Sequence, residues 1–207
     1  MKKLGYFASL SLLCLLTIVG SGRAFADPVT LTLLGTGPNQ ANNEYAYPYY
    51  LSVNGNTNSL MCLSYNNAIS TGESWKATVQ SIVGNVLDEQ AAWLLNDANV
   101  NPAHAVDDQL AAWGIFAGLS NVANSNNAQL LAAQNFVNAN PNDTSFYNQF
   151  QLYVPVPNSQ PLGLGTPQTF LGETPEPSSL LLLGTGLLGL ALVAFRKARP
   201  SRLTLNM

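Results

Sequence analysis

The sequence predicts an α+β fold: a small β-sheet or barrel-like core with a subdomain of about three helices, flanked by an N-terminal signal peptide and a C-terminal transmembrane helix. Three observations predict it. Short segments rich in β-forming residues run from Val29 to Val79, the apolar spacing changes to a helical period after Ser81, and an alternating segment returns at Ser145 to Val154. Strands, then helices, then a strand is the order of an α+β domain rather than of repeated βαβ units. A chain of 207 residues with a 47% apolar share has room for one cored domain plus targeting segments.

Residues 1–26 carry Lys2 and Lys3, an apolar run from Leu10 to Val19, and Ala24 and Ala26 around Phe25. This is the pattern of a cleaved secretory signal, with the exported chain starting at Asp27. The extracellular domain is expected over 27–154. Its strands are read at Val29 to Leu34, Tyr47 to Val53, Ser59 to Ser64 and Trp75 to Val79, with Asn54-Gly55 as a tight hairpin turn. Tyr45, Tyr47, Tyr49 and Tyr50 are expected to pack a sheet face, with a sugar-binding platform as the sharper alternative.

Helices follow at Ser81 to Asp97, at Asp107 to Ala117 with Asp107 or Asp108 as cap or first-turn acid, and at Ala128 to Asn138. The last strand is Ser145 to Val154. Residues 155–173, rich in Pro, Gly and Thr, read as an extended, poorly structured linker.

Charge is scarce and segregated. Charged residues make up 9% of the chain, and between Asp27 and Phe195 the only Lys or Arg is Lys76, whereas all eleven carboxylates fall there. An acidic, Asn-rich middle excludes nucleic acid as a natural partner. One Cys and one His do not supply the usual ligand set for a metal, and no cofactor is called for.

The residue types that carry chemistry are few. Gln109 shares a helix face with Ala112, Trp113 and Phe116. A carboxamide on an apolar face must be exposed, hydrogen-bonded or chemically used. Removing the signal leaves Cys62 as the sole cysteine, so no intramolecular disulfide forms in an oxidising compartment.

Three roles for Cys62 stay open. It is a small buried hydrophobe on its strand; or a catalytic thiol served by His104 with Asp107 or Asp108, making a Cys/His hydrolase; or the sulfur of an internal thioester with Gln109. In the last role a strand holds the sulfur, a helix presents the amide, Trp113 and Phe116 shield the bond from water, and Asp107 and Asp108 are candidates for proton transfer.

Met61-Cys62-Leu63, with Ala91-Ala92-Trp93-Leu94-Leu95 and Gln109-Leu110-Ala111-Ala112-Trp113, resembles the thioester domain of bacterial surface adhesins. The resemblance covers roughly Tyr49 to Leu119. It implies Cys62 as thioester sulfur donor and Gln109 as acyl donor, in a single-use covalent binder rather than a turnover enzyme, its partner an amine-bearing surface ligand. The alternative is a non-reactive structural surface or matrix protein of the same fold.

At the C-terminal end, Pro175-Glu176-Pro177 precedes an apolar segment with a transmembrane helix expected at 179–195. Arg196, Lys197 and Arg199 then give a basic stop, and 200–207 form a cytoplasmic tail. Over Thr174 to Arg199 this order resembles the PEP-CTERM sorting signal of Gram-negative bacteria. The resemblance implies processing by the membrane protease exosortase, membrane anchoring after export across the inner membrane, and delivery to the cell surface or an exopolysaccharide matrix.

Overall fold

A computed structural model describes residues 27–160, 167–174 and 184–191. In chain order its strands are β1 (Val29–Thr36), β2 (Gln40–Ala41), β3 (Glu44–Tyr45), β4 (Tyr49–Val53), β5 (Asn56–Cys62), β6 (Ser74–Ser81), β7 (Phe150–Pro155) and β8 (Phe170–Glu173). Between β6 and β7 lie α1 (Val86–Val100), a 3-10 turn at Pro102–His104, α2 (Ala105–Ala117), α3 (Ala128–Ala139) and the single-turn α4 (Thr144–Tyr147).

Six strands close into an antiparallel barrel in the order β1-β4-β5-β8-β7-β6, with β6 returning to β1. The strand period of two sorts the side chains. Leu31 and Leu33, Tyr49 and Leu51, Leu60 and Cys62, and Trp75 and Ala77 meet Tyr153 and Phe170 in one cluster, the barrel interior. The alternate residues Met61, Leu152 and Leu171 join Ala91, Leu94 and Leu95 of α1 and Ala111 and Ala112 of α2 in a second cluster, between barrel and helices. The small residues on α1 and α2 let these helices pack closely against each other and the barrel.

The turn at Asn54-Gly55 is as expected: φ is +48° and +93° at the two residues, the left-handed pair that a two-residue hairpin matching strand twist requires. Val53 and Asn56 close it. Tyr47 and Tyr49 are buried, whereas Tyr45 and Tyr50 stand at the surface.

Several boundaries differ from the sequence expectation. The first helix starts at Val86 rather than Ser81, because β6 continues to a pairing of Ser81 with Gln151. Asn85 then caps the helix by accepting from Leu87 N at 3.1 Å. The strand expected from Ser145 starts at Phe150. Asp143 accepts from Phe146 N at 3.1 Å and turns Thr144–Tyr147 into a helical turn whose Phe146 ring packs, tilted, against Phe136 and Phe150.

The largest correction concerns the linker. Within 155–173, Phe170–Glu173 is β8, paired with β5 through Met61↔Leu171 and Cys62↔Phe170, and with β7 through Phe150↔Glu173 to Tyr153↔Phe170. The barrel therefore extends past the boundary expected at Val154. Gly172 suits this strand, since a Cβ there would collide with the Leu60 side chain. The signal peptide and residues 161–166 lie outside the described residues.

Because β8 fills the gap between β5 and β7, a chain ended before Pro167 is expected to lose cooperative thermal unfolding, whereas one ended after Thr174 keeps it; circular dichroism melts of the two check this.

Candidate functional site

Cys62 is the last residue of β5 and is fully buried at the end of the barrel. Its Sγ lies 3.2 Å from Gln168 Oε1 and 3.5 Å from Ser64 O, so its single S–H has two acceptors within reach. Burial pushes the thiol up to about 12; contacts with the Ser64 main chain and the Trp113 indole oppose the rise, and the charge of Glu44 adds to it. At neutral pH the sulfur is therefore protonated and weakly nucleophilic.

Gln109 reaches the same point from α2. It is fully buried, and its Nε2 donates to Cys62 O at 2.6 Å. Its Oε1 has no hydrogen-bond partner. One turn further along the helix, on the same face, Trp113 is also buried and lies against Tyr65 with ring centroids 5.1 Å apart. The indole N–H is likewise a buried donor without a partner among oxygens and nitrogens, and it acts on the Cys62 thiol in the direction that favours thiolate.

The barrel end thus joins Cys62, Gln109 and Trp113. Phe116, expected to share the shielding, instead sits 38% exposed on the last turn of α2, and Tyr65 takes the place against Trp113.

The two aspartates are placed otherwise. Asp107 is exposed. Asp108 is fully buried and neither carboxyl oxygen has a partner. Its pKa is pushed up to about 8, first by burial and then by the charges of Asp97 and Asp107. Those neighbours belong to α1 and to the helix start, whereas the carboxylate that acts on Cys62 is Glu44. His104 pairs through Nδ1 with Asp97 Oδ2 at 2.7 Å and its side chain is 46% exposed; the Cys62 thiol is bonded to Ser64 and Gln168 instead.

Sequence spacing did not reveal Gln168, Glu44 or Tyr65, which reach the site from a loop, a two-residue strand and the segment after β5. Gln168 came from the stretch read as linker. Its Oε1 takes the Cys62 thiol and its Nε2 donates to Asn67 O, so it closes the sulfur off from a neighbouring cavity. Among the described residues no group of three His, Cys, Asp or Glu side chains is placed to hold a metal ion.

Beyond the barrel, residues 173–198 match the family model of the PEP-CTERM protein-sorting motif. The motif marks a surface protein sorted by exosortase. It begins on the barrel itself: Glu173 is the last residue of β8, and Thr174 N donates to Gln149 O at 2.7 Å. Pro175, Glu176, Pro177, Arg196, Lys197 and Arg199 lie outside the described residues, as does most of the transmembrane helix expected at 179–195. Residues 184–191 are helical with Leu187, Leu188 and Leu190 exposed, and among the described residues no helix is long and apolar enough to cross a membrane. No curated protein and no solved structure matches the chain.

Two outcomes follow from the burial at this site. Iodoacetamide is expected to alkylate Cys62, where it carries a free thiol, at least about a hundredfold more slowly in the folded chain than in urea, measured by mass spectrometry. Asp108 keeps its proton in the fold up to about pH 8 and loses it near 3.8 when unfolded. Stability is therefore fully present below the lower value and falls as pH rises towards the upper one. Asp108→Asn should flatten the decline in Tm measured between about pH 5 and about pH 8.

Proposed function

We propose that this exported surface protein is a covalent adhesin in which Cys62 and Gln109 form an internal thioester that captures amines. The observation that carries this reading is the buried hydrogen bond of 2.6 Å from Gln109 Nε2 to Cys62 O, which holds the carboxamide on the residue that bears the sulfur. The dry surroundings and the Trp113 cover are what a hydrolysis-prone acyl group requires.

The chemistry balances without a cofactor. Cys62 Sγ adds to the Gln109 carboxamide carbon, the C–N bond breaks, and the thiol proton leaves with the amide nitrogen as ammonia. On capture, an amine nitrogen bonds to the same carbon, the C–S bond breaks, and the amine proton passes to the sulfur. A substituted amide and a free thiol remain, so each molecule reacts once. Gln109 Oε1 and Trp113 Nε1–H, both buried and unpartnered, are complementary. Turned toward each other they would stabilise the oxyanion formed in both steps.

Protonation of the thiol is the obstacle to bond formation, and the Trp113 indole N–H acts against it. Scarcity of lysine fits the reading, because a reactive acyl group meets few amines on its own surface: among the described residues Lys76 is the only Lys or Arg, and its Nζ lies 2.6 Å from Thr30 Oγ1. In this reading the reaction takes place outside the cell, at the surface or polysaccharide matrix of a Gram-negative bacterium, and the sorting motif supports a surface location.

A second reading has the same barrel as a non-reactive matrix component. It is favoured by the way Gln168 and Ser64 satisfy the thiol as they would a structural cysteine.

Intact mass separates the two. The exported chain is expected to be lighter by one ammonia than its sequence, Cys62→Ala and Gln109→Ala should each show no such deficit, and methylamine should add to give an N-methylamide at Gln109, one methylene heavier than the sequence. A wild-type mass without the deficit would sink the thioester.

A further inference from the structure

A cavity of about 240 Å³ lies beside the Cys62 end of the barrel. Glu44, Tyr45, Tyr49, Ser70 and Thr71 are among its walls, and Gln168 is the wall that also touches the sulfur. Glu44 forms no ion pair among the described residues, where Lys76 and His104 are the cationic or titratable bases and both are engaged elsewhere. Its charge nevertheless raises the Tyr49 hydroxyl as well as the Cys62 thiol, so its field reaches the reacting sulfur.

An exposed, unpaired carboxylate that shares one cavity with Tyr45, Tyr49, Ser70 and Thr71 is a receptor for a cation with a short apolar stem: the carboxylate meets the charge and the apolar walls take the stem. The volume is below the roughly 300–1,000 Å³ usual for drug-sized ligands. It suits an alkyl chain better than an oligosaccharide.

We infer that this cavity is an alkylammonium-binding site that delivers amines, such as a lysine side chain on a partner protein, to the Cys62–Gln109 centre, with Glu44 as its specificity-determining residue and Gln168 as the gate in front of the sulfur. The delivery step rests on the thioester reading; the binding site does not. Glu44 concentrates the protonated amine, which gives its proton to solvent before the neutral nitrogen attacks. Gln168 swings off the sulfur to let it pass, exchanging two hydrogen bonds for others with water.

Binding is tested first without the bond. In the full-length Cys62→Ala chain in detergent, n-butylammonium should bind saturably with a Kd of about 1–10 mM, in keeping with the affinity open to so few non-hydrogen atoms. Glu44→Gln should weaken it at least about fivefold and Glu44→Lys should abolish it, while 1-butanol should not saturate; tyrosine ring signals in NMR report the site, and circular dichroism checks that each variant is folded. Equal binding by wild-type and Glu44→Gln cavities, or by butanol and butylammonium, overturns the site.

With the mass deficit present, Glu44→Gln should slow adduct formation by n-butylamine at least about fivefold and leave the rate with methoxyamine, which is uncharged at neutral pH, unchanged. A uniform slowing of both, or of neither, overturns delivery through Glu44. A missing mass deficit counts against the thioester alone, since the NMR titration reads the cavity independently.

Discussion

One buried hydrogen bond, from the Gln109 carboxamide on α2 to the main chain of Cys62 on β5, joins the helical layer to the barrel at the candidate site. Most surrounding contacts between helices and barrel are apolar and could slide by small amounts at little cost, the bond from Asn99 on α1 to Glu173 on β8 aside. A directional bond between fully enclosed partners cannot. It sets how far α2 is turned, and with it where Trp113, one turn on, lies over the barrel end. Its other consequence is an unmet acceptor: Gln109 Oε1 stays without a donor, as does Trp113 Nε1–H without an acceptor and Asp108 without either. Each such group costs about 1–3 kcal/mol. Three within two turns of one helix concentrate unsatisfied polarity where a purely structural helix would carry apolar side chains.

The electrostatics of the domain follow from its lack of cations. Burial is the largest cause of the rise at Cys62, Asp108 and Tyr49, nearby negative charge adds to it, and no positive side chain reverses it. Protons are thereby held on the thiol and on Asp108, and the negative field of Glu44 at the cavity is uncompensated. A conventional Cys/His centre works the other way, with an imidazolium drawing the thiol down; here the imidazole is bound to Asp97 near the surface.

The local rules of the chain were legible in its sequence. The Asn54-Gly55 turn, the change from strand to helical period and the three longer helices all read directly, because each depends on neighbours in the chain. Asn residues explain much of the rest: Asn85 and Asn127 cap helices, and Asn42, Asn43, Asn54, Asn124 and Asn158 take left-handed backbone, a conformation open to few residues besides glycine. What escaped notice was non-local. Phe170-Leu171 looks unremarkable beside a Pro- and Gly-rich stretch, and only pairing with β5 and β7 makes it a strand. Ser145 to Val154 alternates well enough for a strand, but the Asp143 cap takes its first residues into a helical turn. Gln109 and Cys62 could be singled out by type and setting, yet Gln168 and Glu44 could not, since their place is defined by chain segments far away in sequence.

The strand that closes the barrel also leads straight into the sorting motif, and this gives the molecule a load path. Any pull on the C-terminal segment enters the barrel through Thr174 and Glu173 and meets the hydrogen bonds of β8 to β5 and β7. Phe170, at the other end of β8, pairs with Cys62, and Gln168 is two residues beyond it. Tension entering at Glu173 must therefore cross the whole of β8 before it reaches the residues that cover the sulfur, so the pairs with β5 and β7 shelter that end of the barrel.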